Sequence, residues 1–259
     1  MRIIAVFVLL VAIPTVASGQ NLPPSYPPEG DRGEYYLTFT VSDSTDFDST
    51  DSASVYPDQA VRDSIQSEHP NWSRGAEAIE EYALGRQDIN FLGQVEGEKG
   101  HDKWNVRLTN GDTIRVNPQE VSRRSEDLTF EYYHRDHELI VFASQWTEGG
   151  GYVVVSRTDG DATRTFGPPV LSPSGKWFVA FNEDTVAGYS PNGLQLFKIK
   201  RNEVTEVVRY RIDRRLGGPT GCRWIDDNTF RLQLLEQDIV RDGTGKSFQH
   251  YQVSIREKK

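Results

Sequence analysis

The feature that most narrows the choice of fold is a short pattern that the chain repeats, a polar turn running into an apolar strand. In Leu171-Ser-Pro-Ser-Gly-Lys-Trp-Phe-Val-Ala-Phe181 the turn leads into an unbroken apolar run. Side chains alternate between the two faces of a strand, so such a run describes a strand buried on both. The same pattern fits Trp224 to Leu234 without a gap and Tyr133 to Ala143 more loosely. The copies start 38 and 53 residues apart, unequal spacings but each near the length of one four-stranded unit. Between them lie further strand signals at Gly151 to Ser156, Leu194 to Ile199 and Glu203 to Ile212, with a turn at Asp159-Gly160. The final strands are expected at Phe230 to Leu235 and His250 to Ile255.

Upstream the signals are more mixed. Tyr36 to Val41 alternates, with Leu37, Phe39 and Val41 on one side, as a half-buried strand does. Residues 58–67 and 73–84 are the helical stretches; in the second, Ala76, Ile79, Ala83 and Leu84 fall near helical spacing, with Ser73 as N-cap and Gly85 as stop. From Asp88 the chain turns to strands again. Trp104 and Val106 alternate before Asn110-Gly111, and Ile114 and Val116 alternate after it. A two-residue loop there would set Arg107 against Ile114 and mix the faces. A three-residue loop, Thr109 to Gly111 with the glycine left-handed, sets Val106 against Ile114 and Trp104 against Val116, and is the expected register.

The chain opens with Met1-Arg2, an apolar run from Ile3 to Ile13, Pro14 and the small residues Thr15 to Gly19. A basic start, a short apolar centre and a small-residue exit are the parts of a cleavable secretory signal, expected here over residues 1–20. Eleven apolar residues reach about 16 Å as a helix against the roughly 30 Å of a bilayer core, which disfavours a retained anchor, and after cleavage no stretch is apolar enough for a membrane span to be expected. Residues 21–34 hold four prolines and read as an extended linker. With Arg2 removed, 28 basic residues face 38 acidic ones, a balance that argues against nucleic acid as a partner. Only eight of the basic residues are lysine, and this acidic, lysine-poor composition reads as solubility chemistry for a salty medium. A single cysteine, Cys222, allows no internal disulfide and reads as a small buried hydrophobe.

The phrase Leu171-Ser172-Pro173-Ser174-Gly175-Lys176 followed by Trp177 resembles the turn-plus-apolar-strand element of propeller-type repeats, such as WD-like repeats and the periplasmic Tol-system propeller. The resemblance covers about residues 128–256; Ser174 stands where the repeat usually has Asp, and the other copies lack the Ser-Pro. It implies a mainly β fold of propeller-like antiparallel blades, three or four units, closed into a ring, left open, or arranged as a sandwich. A small α+β segment at residues 35–86 precedes the antiparallel β domain of residues 87–259, which is propeller-like from about residue 128.

The chemistry is expressed mainly by what is missing. The chain has no Gly-x-Ser-x-Gly elbow, phosphate loop, dinucleotide fingerprint or His-Glu-x-x-His. His134-Arg135-Asp136-His137 is the nearest approach to a ligand cluster, but it falls in the turn of a repeat copy, where polar residues simply meet water. Asp43, Asp46, Asp48 and Asp51 lack the glycine and terminal glutamate of a calcium loop. Asn71-Trp72-Ser73 matches a glycosylation acceptor, relevant only in a eukaryotic secretory route. No catalytic residue, metal ligand or cofactor is assigned. The binding candidates are Asp184 and Tyr189, in the long 182–193 loop, and Trp146, beside the glycine-rich stretch 149–151. The reading is a secreted or periplasmic, non-enzymatic binding or scaffold module for a protein or saccharide ligand. The alternative is a secreted hydrolase or lyase acting on saccharide or peptide.

Overall fold

The structure is a computed structural model that describes residues 34–42, 64, 67–68, 89–94, 104–117, 127–201, 203–236 and 247–258. The protein is mainly β, with four antiparallel sheets arranged as propeller-like blades. The first sheet holds β2 (Leu92–Gln94), β3 (Trp104–Arg107) and β4 (Thr113–Val116). The second holds β5 (Asp127–His134), β6 (Leu139–Trp146), β7 (Gly149–Ser156) and β8 (Ala162–Thr165). The third holds β9 (Val170–Leu171), β10 (Trp177–Asn182), β11 (Gly193–Lys200) and β12 (Glu203–Arg211). The fourth holds β13 (Gly218–Asp226), β14 (Thr229–Glu236), β15 (Ser247–Glu257) and, along the outer side of β15, β1 (Tyr35–Val41).

The three repeat copies occupy the same place in successive sheets. Each supplies the turn between the first and second strands and then the second strand itself: β5 to β6, β9 to β10, β13 to β14. In the middle sheets the two-sided apolar run has the predicted meaning. On β6, Ile140 and Phe142 pack with Trp104 and Val106 of the first sheet, while Leu139 and Val141 pack with Phe178 and Phe197 of the third. On β10, Phe178 and Ala180 face the second sheet, and Trp177 and Val179 join Cys222, Phe230 and Leu232 of the fourth. The third copy departs from the expectation. In β14 Phe230 and Leu232 enter that core and Leu234 packs against it, while Arg231 and Gln233, which alternate with them, are partly exposed. Strand β3 is likewise one-sided, with Trp104 and Val106 buried and Asn105 and Arg107 exposed. Among the described residues the cores therefore run in series from first sheet to fourth, and no cluster joins the fourth to the first.

The turns interlock as well. A Cβ placed on Gly175 would lie 1.9 Å from the His137 ring, so the turn of the third sheet sits against that of the second. In the other direction the Ser174 amide donates to Asp227 Oδ1 at 2.9 Å, joining the third turn to the fourth. The Ser174 hydroxyl and then its amide, aided by the Ser172 hydroxyl and Lys176, hold the Asp227 carboxyl below its usual pKa against a smaller effect of burial.

The hairpin between β3 and β4 has the expected register: Val106 faces Ile114, Trp104 faces Val116, and Gly111 takes φ 93°. The strand at Tyr35–Val41, grouped on sequence with the helices after it, pairs along its whole length with β15, from Tyr35 opposite Glu257 to Val41 opposite Tyr251. Tyr35 meets Trp177 edge-on at 5.1 Å and accepts a 2.6 Å hydrogen bond from Lys198 Nζ, which fastens this strand to the third sheet too. Of the helix expected over residues 58–67, Ser64 and Ser67 are described and helical, as is Glu68 just beyond it. The 73–84 stretch, the signal region, the linker up to residue 33, the Asp43 to Asp51 loop and the glycosylation motif lie outside the described residues.

Candidate functional site

The second and third sheets are packed tightly around Phe178 and Phe197, then part at the end where β6 turns into β7. Between them is a pocket of about 290 Å³ lined by Ala143, Ser144, Gln145, Gly149, Gly150, Gly151, Tyr152, Phe166, Asn182 and Ser190. Its existence traces to one residue. The side of β7 that carries Val154 faces the third sheet, and by alternation Tyr152 and residue 150 face the same way. Residue 150 is glycine, and a Cβ there would meet only the Ser144 carbonyl oxygen, at 3.3 Å. A larger side chain would occupy the gap.

The far wall is the loop between β10 and β11, which is held by its own hydrogen bonds. Asp184 accepts from the amides of Gly188 at 2.7 Å and Ser190 at 2.6 Å. Asn182 Nδ2 donates to the Pro191 carbonyl at 2.7 Å, and Asn192 Nδ2 reaches the carbonyls of Ile212 and Gly217. The loop closes on β7 where the Gly150 amide donates to Ser190 Oγ at 2.9 Å. Strand β8 has ended at Thr165, so this hydroxyl takes the place of a strand partner. Phe166, on the remaining wall, is set by Gln195: the fully buried side chain accepts from the Phe166 amide at 2.7 Å, and its Nε2 donates to Glu206 at 3.2 Å.

The three candidates from sequence come together at this end but act differently. Trp146 lies over the glycines, since a Cβ on Gly149 would be 2.6 Å from its Nε1, while the Arg164 guanidinium lies 4.8 Å from the ring centre. Its position, with the Tyr189 carbonyl 2.6 Å from the same point, explains Gly149; at Gly151 a Cβ would be 3.6 Å from the ring and tightest against the Thr165 carbonyl, at 3.2 Å. Asp184 organises the loop. Partial burial raises its pKa, but the amides of Ser190, Gly188, Tyr189 and Ala187 outweigh this and hold the carboxyl below its usual range. Tyr189 is half exposed on the loop, and its carbonyl touches the Trp146 and Gly149 corner.

His134 and His137 are elsewhere. They flank the turn at the start of β6, and an eight-residue strand spans roughly 25 Å before reaching Trp146. Burial, then the neighbouring His137, push the His134 pKa down to about 4 against the pull of Asp136. Among the described residues no three His, Cys, Asp or Glu side chains are grouped so as to hold a metal ion. Cys222 is fully buried in the core of the third and fourth sheets, and burial pushes its thiol pKa far up.

The sequence reading pointed to the 182–193 loop and the 149–151 glycines without singling out Asn182, Ser190 or Gly150 as pocket walls, and it missed Phe166. The available signal was the glycine triplet itself, because a strand with three consecutive glycines leaves space on both faces at once.

No family model matches the chain, and no curated protein matches it. Among solved structures it is similar to the crystal structure of TolB from Acinetobacter baumannii, with 14% sequence identity and a TM-score of 0.21. That match covers 62% of this chain and 46% of the TolB chain, so the chain spans less than half of the protein it matches.

Proposed function

We propose that this chain is a non-enzymatic binding module of propeller-like type that works outside the cytoplasm and takes its ligand at the pocket between the second and third sheets. One observation carries this reading. Among the described residues, those lining the pocket include no carboxylate, imidazole, amine, guanidinium or thiol, and Tyr152 is their only titratable group. Turnover by hydrolysis or elimination needs a positioned acid or base within hydrogen-bond reach of the reacting atoms. A rigid, neutral pocket framed by amides, a hydroxyl and aromatic rings suits recognition instead. The acids and histidines named for the alternative, a hydrolase or lyase, are otherwise engaged or placed: Asp184 is held by loop amides, and His134 and His137 belong to the opposite end.

Work outside the cytoplasm rests on the leader-like residues 1–20. The experiment is twofold. Mass spectrometry of the exported protein should show an N-terminus near residue 20, and the mature protein should turn over nothing in a broad panel of peptide and glycoside substrates. Retention of the Ile3 to Ile13 stretch, or a turnover abolished by a single substitution, overturns the corresponding half of the proposal.

A further inference from the structure

We infer that the fourth sheet carries a second site, for an oxyanion borne on an apolar body, gripped by Arg223 and Arg231 and set against Trp224 and Ile225. It is separate from the pocket between the second and third sheets and does not depend on it. A hollow of about 480 Å³ is lined by these four residues. Cys222, Phe230 and Leu232 point into the core, so by alternation the two arginines belong to the opposite face of the sheet. Arg223 on β13 lies directly opposite Arg231 on β14. Residues so placed have Cβ atoms about 4.5–5.5 Å apart, where like charges repel. An oxyanion between them reverses that cost, because each planar fork offers parallel N–H donors matched to carboxylate or phosphate oxygens.

The apolar wall of the hollow comes from an irregularity in the pairing. Trp224 opposes Phe230 and Asp226 opposes Thr229, which leaves Ile225 as an extra residue on β13. A bulge of this kind bends its strand and re-aims the side chains beside it. Ile225 is left 48% exposed, and Trp224, which packs on the core, also reaches the hollow. The indole is fixed in place: its Nε1 donates to the Val170 carbonyl at 2.8 Å, and its ring meets Phe230 at 5.1 Å. The two acids that follow along the chain are engaged by turn amides and are not among the lining residues. Asp226 accepts from the Asn228 amide at 2.7 Å and Asp227 from the Ser174 amide at 2.9 Å. Among the described residues, the charged groups of the lining are therefore both positive, in a chain of net charge −9. A hollow lined by one sign of charge concentrates ions of the other. The indole and the isoleucine add affinity only for a ligand that has apolar surface to bury.

The test uses the full exported chain and four probes. Benzoate and phenyl phosphate combine an oxyanion with a ring, inorganic phosphate is an oxyanion alone, and benzamide is a ring without charge. Binding is followed by calorimetry and by the nuclear magnetic resonance signal of the Trp224 indole N–H, identified by its loss in Trp224→Phe. Arg223→Gln and Arg231→Gln read the site, and Arg256→Gln on β15 removes the same charge elsewhere on the sheet. Thermal melting checks that each variant folds; where a glutamine variant does not, the lysine variant, which keeps the charge and loses the fork, takes its place. The expected result is that a ring-bearing anion binds more tightly than inorganic phosphate or benzamide and shifts the Trp224 signal. Its affinity should fall about tenfold or more in either site variant and stay unchanged in Arg256→Gln. Preference for benzoate or for phenyl phosphate then assigns the oxyanion as carboxylate or phosphate. The inference is overturned if neither ring-bearing anion binds, if inorganic phosphate or benzamide binds as well as they do, or if Arg256→Gln weakens binding as much as the site variants.

Discussion

At Gly175 the backbone takes φ 69°, and a Cβ would lie 1.9 Å from the His137 ring, so two separate effects fix glycine at one turn. Gly175→Ala should destabilise the protein by about 1–2 kcal/mol from the left-handed backbone alone, and by more once the ring is forced aside. His137→Ala in the same background should return the steric part and none of the backbone part. A double-mutant cycle by chemical denaturation separates the two, and strictly additive changes would show that the turns do not touch. His134 makes a second prediction. Its folded pKa, about 4, is below its unfolded value of about 6.5, so the unfolded chain binds a proton that the native state refuses. Stability contributed in this way is complete above the unfolded pKa and falls as pH drops from about 6.5 towards 4. Between pH 7.5 and 5 the parent should lose about 2 kcal/mol more than His134→Phe; parallel pH profiles would show that the imidazole is not held neutral. Sequence marked both histidines as turn residues because their neighbours are polar. It left the contact with Gly175 unread, since that contact joins residues 38 positions apart across two sheets.

Elements differed in how openly the sequence declared them. The β3–β4 hairpin was legible down to its register, because turn chemistry and face alternation are both local and had only one consistent solution. Strand β6 was legible as two-sided, and its apolar run does pack on two neighbours. Strand β1 was legible as half-buried but not as the partner of β15, since alternation says that a face is covered without saying by what. Thr38 and Ser254, hydrogen-bonded across that pair, are 216 residues apart. Phe39 supplies much of the grip, with Tyr210 at 5.7 Å and Tyr251 at 6.3 Å. Phe39→Ala should cost about 2 kcal/mol, less than the 3–5 kcal/mol of a fully enclosed phenylalanine, and should speed amide exchange along β15 more than along β10. Equal exchange on both strands would mean that β1 adds nothing to the last sheet. The pocket was the least legible element. Trp146 and Tyr189 were visible as aromatics near turns, but the covering of Trp146 by Arg164 and the void at Gly150 arise only when two sheets meet.

Over the whole molecule, the account depends on sheets that pack face to face in the order in which the chain makes them, with two of the three repeat copies placing a second strand, β6 or β10, between two cores. The one-sided strands β3 and β14 mark the outer sheets, and the two-sided β6 and β10 mark the inner pair, whose parting forms the pocket. Methyl-to-aromatic nuclear Overhauser spectroscopy on the full chain tests this order directly. Cross-peaks are predicted from the Val153 and Val155 methyls to the Trp104 and Phe142 rings, from Val141 or Val154 to Phe178 and Phe197, and from Leu232 or Val253 to Trp177. Cross-peaks linking the Trp104 core directly to Phe178 or Trp177, with those from Val141 and Val154 absent, would contradict the stacking order and remove the pocket with it.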